Sequence, residues 1–245
     1  MRTRFPLLYS LFNKTRRDVY LTFLRLSHGG SGPKEVFDWF YRRNLFGDSE
    51  SLSGTGSTLA ATGTIRAALP SLLSILDVNT ILDIPCGDFF WAKEINWQPY
   101  HYIGADIVAG LVERNRSLYG SDSVEFQALD ILTDTLPPCD LILCRDLFIH
   151  FPNELVRSAL NNISGSGARF LLTTQYNGVK TNRDIKLGSF RPLNLMLPPF
   201  GLPEPLRSVP DHDYLKLWDR TLALWPLDAV VRAMGYDCPG PGMDR

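Results

Sequence analysis

TILDIPCGDFFWAKEINWQPYHYIGAD, residues 80–106, is the stretch whose reading decides the fold. Ile81 and Leu82 form a short apolar run closed by Asp83, the pattern of a buried strand that ends in a carboxylate. Pro85-Cys86-Gly87-Asp88 follows as a tight turn, and Phe89 to Ile95 reads as a helix. A second strand, Tyr102 to Ala105, is closed by Asp106, 23 positions after the first acid. Strand, glycine turn, helix, strand and acid make up the order of a nucleotide-binding βαβ unit. In that unit the glycine lets backbone approach the ligand, and the second acid accepts hydrogen bonds from a ribose.

The turn separates two kinds of nucleotide site. A dinucleotide diphosphate lies against bare backbone at a helix N-terminus, which needs the spacing G-x-G-x-x-G. Here the turn has Gly87 alone, with Pro85 and Phe89 where further glycines would stand. Asp88 falls at the N-cap of the expected helix, where it repels an anion. A nucleotide-dependent oxidoreductase is therefore the weaker reading, and a ligand with a cation in place of phosphate suits these acids better. LDIPCGDFFW resembles the first motif of the class I S-adenosylmethionine-dependent methyltransferases. The resemblance implies an α/β doubly wound, Rossmann-like domain with a mostly parallel seven-stranded sheet and helices on both faces. It implies S-adenosyl-L-methionine as cofactor. Asp83 would then face the methionine amino group, Gly87 with Pro85, Cys86 and Asp88 would form the close-approach turn, and Asp106 with Ile107 would meet the ribose.

The likeness is longer than one motif. ESLSGTGSTLAAT, residues 50–62, precedes the first strand, and its hydroxyls and glycines suit either a cover over the cofactor site or a solvated loop. From about Phe37 to Pro226 the chain resembles a mostly uncharacterised group of bacterial methyltransferases, in which S-x-S-G-x-G-S-T precedes I-L-D-I-P-C-G-D-F-x-W. That resemblance names no acceptor. VEFQALD, 124–130, is a third strand ending near a third acid. The resemblance places Asp130 at the adenine amino group, with Leu129 and Ile131 against the ring.

CDLILCRDLFIHFP, 139–152, carries the next strand, Asp140 to Cys144, and brings Arg145, Asp146 and His150 to the cleft mouth. It resembles the fourth motif of the family, and Cys144 joins the candidate cofactor contacts. Methyl transfer depends mainly on positioning, and a hydroxyl acceptor must also lose a proton. His150 reads either as the base for that proton, with an ordinary pKa of about 6.5, or as a packed histidine at a helix start. Asp146 would orient the acceptor or the base, and Arg145 would pair with a nearby acid. Nitrogen methylases of DNA and of glutamine carry N/D/S-P-P-Y/F after this strand. Cys144-Arg145-Asp146-Leu147 stands there instead, and Leu197-Pro198-Pro199-Phe200 mimics the motif some fifty residues too late. Oxygen in a small-molecule or glycan-like acceptor is therefore favoured over nitrogen in nucleic acid.

The rest of the chain supplies the frame. Its 245 residues, 44% hydrophobic and 21% charged, suit one soluble globular domain. A net charge of −1 offers no attraction for a polyanion, so no nucleic-acid partner is expected. Cys86, Cys139, Cys144 and Cys238 form neither a C-x-x-C pair nor a metal-ligand spacing, so they read as reduced thiols in a cytoplasmic protein without a metal. No apolar run is long enough to span a membrane.

Residues 1–30 are basic and apolar, and read as an extension packed on the domain, a peripheral membrane-surface segment or a transit peptide. The domain proper is expected over 31–238, with a loose tail at 239–245. Helices are expected over 34–41, 58–69 with a continuation after Pro70, 109–119, 153–164 and 227–234. A fifth strand is expected at 168–176, an edge strand at 193–197 and a last strand at 219–225 paired antiparallel with the segment before it. Ser57, Asn182, Asp184, Arg191 and Asn194 are the candidate acceptor contacts, because loops beyond strand ends select substrates. A scaffold that kept the fold without catalysis is the main rival, and the intact acids Asp83, Asp106 and Asp130 weigh against it.

Overall fold

A computed structural model describes residues 32–46, 48–211 and 219–236. The expectations for residues 1–30, for Cys238 and for the tail at 239–245 lie outside the described residues. The strands are β1 (Thr80–Asp83), β2 (His101–Asp106), β3 (Val124–Ala128), β4 (Leu141–Cys144), β5 (Phe170–Tyr176), β6 (Arg207–Pro210) and β7 (Arg220–Pro226). They form one sheet in the order β3-β2-β1-β4-β5-β7-β6. The first five are mutually parallel, while β7 runs antiparallel to both β5 and β6.

Side-chain alternation explains why both faces are covered. Leu82, Ile142, Leu171 and Ala223 point into one core, against Val156, Leu160 and Ile163 of α4 (Asn153–Ser164) and Val230 of α5 (Leu227–Met234). Their neighbours Ile81, Leu141, Leu143, Leu172 and Leu222 point into the other. There they meet Ile65, Leu69 and Leu73 of α2 (Gly63–Ile75) and Val112 of α3 (Ala109–Tyr119). Each such side chain, fully buried, contributes about 1.5–3 kcal/mol. α1 (Pro33–Arg42) opens with Pro33 and buries Val36 and Phe40, one turn apart. The doubly wound, seven-stranded sheet expected from the sequence is present, and α3, α4 and α5 have the expected bounds.

Three expected elements differ. Residues 89–95 form turns and a short 3-10 helix, Ala92–Glu94, in place of an α-helix. Phe89 has φ of 58°, which breaks a helix at its first residue. Its ring meanwhile lies 5.1 Å from both Tyr102 and Phe126 and 5.4 Å from Tyr119. Gly104 in β2 makes room for that cluster, since a Cβ there would come 2.7 Å from the Phe126 ring.

α2 begins at Gly63, later than expected, because Thr58 folds its hydroxyl onto the Ala61 N–H in a local turn. Pro70 sits within the helix and does not divide it. Residues 193–197 are no edge strand. Leu193 and Leu195 are wholly buried in a turn, and the edge strand is β6.

Candidate active site

The strand order reverses between β1 and β4, and the crevice beyond the carboxyl ends of these strands is where such sheets hold ligands. Register places Asp83 beside Gly104 of β2 and Leu143 of β4, so Asp83, Asp106 and the Arg145–Asp146 pair share one edge. Asp83 is buried and receives the Tyr102 hydroxyl at 2.5 Å. Burial pushes its carboxyl up to about 7. Asp106 is buried as well and pushed up to about 6 by the same desolvation. It accepts the Gly87 N–H at 3.2 Å and the Val108 N–H at 2.9 Å. No arginine or lysine side chain hydrogen-bonds either acid among the described residues.

The glycine turn lies between these acids. Its Ile84–Pro85 peptide is cis and Pro85 is half-buried. The Cys86 N–H reaches Ala105 O at 2.8 Å, and its buried thiol lies near the Gly87 carbonyl. Gly87 has φ of 56°, and a Cβ there would stand 2.2 Å from Ser53 Oγ, so glycine serves both the bend and the contact. Asn115 of α3, fully buried, donates to Gly87 O at 2.7 Å and pins the turn from below. Asp88 was expected as a helix N-cap; with no α-helix behind it, it gathers the upstream loop. It accepts the Ser51 hydroxyl at 2.9 Å, the Leu52 N–H at 2.7 Å and the Ser53 hydroxyl at 3.2 Å. Its own N–H donates to Ser53 Oγ at 3.1 Å.

That loop continues across to the other side. Gly54 packs on Phe46, and the Gly56 carbonyl accepts from Arg145 at 2.8 Å. Arg145 also holds Asp211 with two hydrogen bonds of 3.0 Å and lies 3.3 Å from Asp146. Arg220, the first residue of β7, bonds Asp211 and Asp146, each at 2.7 Å. Two arginines and two aspartates thus form one closed, charge-balanced group. Burial works against the Asp146 charge, but the Arg220 and Arg145 guanidiniums outweigh it and hold the carboxyl down at about 2. Asp146 has φ of 60°, and Thr174 Oγ1 both accepts its N–H at 2.9 Å and donates to its carboxylate at 3.2 Å.

His150 stands at the end of a short 3-10 turn, Phe148–His150. Its Nδ1 lies 2.8 Å from Ser189 O. A carbonyl only accepts, so Nδ1 carries the hydrogen and the neutral ring has its lone pair on Nε2. Asp146 and His150 are close enough for their charges to favour one another.

The other candidates are distributed as follows. Ile107 and Leu129 are half-buried beside Asp106, whose carbonyl takes the Leu129 N–H at 3.1 Å. Asp130 accepts the Leu132 N–H at 2.9 Å at the head of a turn, and Ile131 is buried in the core. Cys144 is enclosed in the same core. Ser57 is buried next to Gly56. Asn182 spends its amide on the carbonyls of Asn194, Leu197 and Pro198. Asn194 bonds Gln175, Val179 and Met196. Asp184 takes the Asn153 N–H at 2.8 Å at the start of α4. Arg191 donates to Phe151 O and to Asn153 Oδ1. The structure thus gathers Asp83, Gly87, Asp88, Asp106, Arg145 and Asp146 at one sheet edge, with Gly87, Asp88, Arg145 and Asp146 against the 51–57 loop, while Asn182 and Asn194 hold their own loop.

Sequence reading missed Ser51, Ser53, Tyr102, Asn115, Thr174, Asp211 and Arg220. Two carried a signal. Asn115 falls on the apolar stripe of α3, four and three positions after Leu111 and Val112, and Arg220 opens an otherwise apolar strand. Asp211 pairs across 66 residues and left none.

No known family profile and no curated protein sequence matches the chain. Solved structures do match its fold. PigF with SAH is 14% identical with a TM-score of 0.58, over 90% of this chain and 70% of that one. Human N-acetylserotonin methyltransferase in complex with SAM is 14% identical with a TM-score of 0.56, over 86% and 67%. Magnesium protoporphyrin IX methyltransferase from Synechocystis PCC 6803 with bound SAM is 14% identical with a TM-score of 0.52, over 81% and 99%. The chain has the Rossmann-like fold of these methyltransferases.

Proposed function

We propose that the protein is an S-adenosylmethionine-dependent methyltransferase that methylates an oxygen of a small-molecule or glycan-like acceptor. The observation that carries the cofactor reading is the pair Asp83 and Asp106, buried at adjacent strand ends with no cationic side chain hydrogen-bonded to either among the described residues. Desolvated acids of this kind are relieved by a cationic ligand, and these acceptors fit a molecule with an ammonium, a sulfonium and ribose hydroxyls. Asp83 would receive the ammonium and Asp106 the ribose, with Asp130, Leu129 and Ile131 toward the adenine. When bound, the cofactor supplies a methyl group from its sulfonium and leaves as a thioether. A dinucleotide fits less well: Asp88 stands at the turn, and residues 89–95 offer no α-helix N-terminus for a diphosphate.

Oxygen as acceptor rests on His150. Its Nδ1–H is spent on Ser189 O, so Nε2 takes the acceptor hydroxyl proton. Asp146, kept ionised by two arginines, stabilises the imidazolium that results and does not itself take the proton. Arg145 and Arg220 are positioning residues, acting through Asp146. Transfer of label from methyl-tritiated cofactor to a panel of phenols and methyl glycosides tests the reading. His150→Gln should lower kcat about 10²–10⁴-fold and leave cofactor affinity unchanged. An unchanged kcat would remove His150 from the chemistry.

A further inference from the structure

Phe190 is left 46% exposed, yet it is not on a slack loop. The Gly188 N–H donates to His150 O at 2.8 Å, His150 Nδ1 to Ser189 O at 2.8 Å, and the Arg191 N–H to Ile149 O at 3.0 Å. Residues on both sides of Phe190 are thus tied to the turn that carries His150. The segment is braced from behind too. Gly188 has φ of 76°, and a Cβ there would come 2.8 Å from the Phe40 ring and 3.0 Å from Val36 of α1. The Phe190 ring lies 6.1 Å from the His150 ring, centroid to centroid, and Phe46 lies 5.4 Å from it. Keeping about half of a phenyl ring in water forgoes apolar burial. A fixed backbone that presents one beside a candidate base is built to stack against something.

We infer that Phe190, beside the His150 ring, is the platform on which the methyl acceptor lies. The acceptor is then a ring with a flat apolar face and a free hydroxyl, either a phenol or a sugar that offers its C–H face. This rests on the oxygen-methylation reading above and adds the substrate class to it. Asp146, held anionic near His150, sets a neutral acceptor above an anionic one.

The test is saturation-transfer NMR on protein loaded with S-adenosylhomocysteine, using simple phenols as one set and methyl glycosides as the other. Wild type should saturate ring protons in one set, and which set responds assigns the source. Phe190→Ala should weaken that signal about five- to tenfold, the loss of one stacking contact. Phe190→Trp should restore it. Neither set responding in wild type, or an equal response in Phe190→Ala, overturns the platform. Calorimetry of S-adenosylhomocysteine on the same samples separates the two levels. Equal binding in wild type and Phe190→Ala assigns any loss to the acceptor, whereas no binding in wild type removes the cofactor reading and the platform together.

Discussion

Two neighbouring parts of one sheet edge treat the same residue type in opposite ways. At the ends of β1 and β2, Asp83 and Asp106 are buried against neutral donors, and desolvation raises them to about 7 and about 6. At the ends of β4 and β7, the half-buried Asp146 lies against two guanidiniums and stays at about 2. The second group is complete within the protein: Arg145, Arg220, Asp146 and Asp211 balance one another. The first has no guanidinium hydrogen-bonded to it among the described residues, and Arg145 acts on Asp83 only from a distance. Acids at strand ends are common, and what marks a ligand site is the acid whose counter-charge the chain does not supply.

The comparison can be broken most severely on its paired side. Arg220→Met leaves Asp146 and Asp211 short of a partner, and should cost about 3–5 kcal/mol in urea unfolding. A loss below about 1 kcal/mol would mean that solvent already satisfies the pair. On the unpaired side, Asp106→Ala should weaken cofactor binding about 100-fold or more, through lost charge and lost turn geometry, as read by calorimetry. The loop joining the two sides answers to Asp88. Asp88→Ala strands four donors and should cost about 1–3 kcal/mol, with new proteolytic cleavage within residues 50–58.

The smallest effect has a sign worth checking. Because burial raises Asp83 above its unfolded value, its contribution is favourable below about pH 4 and is lost as pH rises through about 7. The ligand-free protein should therefore lose stability between pH 5 and pH 8. Asp83→Asn should flatten that slope and gain about 1 kcal/mol at pH 8, opposite in sign to Arg220→Met. Thermal unfolding across this range reads both. Asp146 behaves conversely: its contribution is present above about pH 4 and is lost as pH falls through about 2.

Periodicity and strand-end acids made the sheet legible, because alternation along β1, β4 and β5 and the apolar stripes of α4 and α5 are local patterns. Phe89 to Ile95 was misread because helical spacing of apolar residues does not reveal a positive φ. That aromatic run serves a cluster with Tyr102 and Phe126 and not a helix face. Residues 193–197 read as a strand because leucines alternate there, but beyond the bond from the Tyr176 N–H to Leu193 O the side chains of Gln175, Asn182 and Asn194 take up the backbone groups. For the candidate site, Asp83, Gly87, Asp106, Arg145, Asp146 and His150 stood out by position after strands. Asp211 and the partners of Arg220 did not, since their pairing with Arg145 and Asp146 crosses 66 and 74 residues and depends on β7 lying beside β5.

The central claim is that Asp83 and Asp106 await a cationic cofactor, and calorimetric titration of S-adenosylmethionine from pH 6 to pH 8 tests it most directly. Only the ionised acids bind the cation, so affinity should rise about tenfold from pH 6 to pH 7, level off above, and release protons on binding. Micromolar binding with that profile, lost in Asp106→Ala, is the expected result. No binding at millimolar ligand, or an affinity independent of pH and of Asp106, would contradict it.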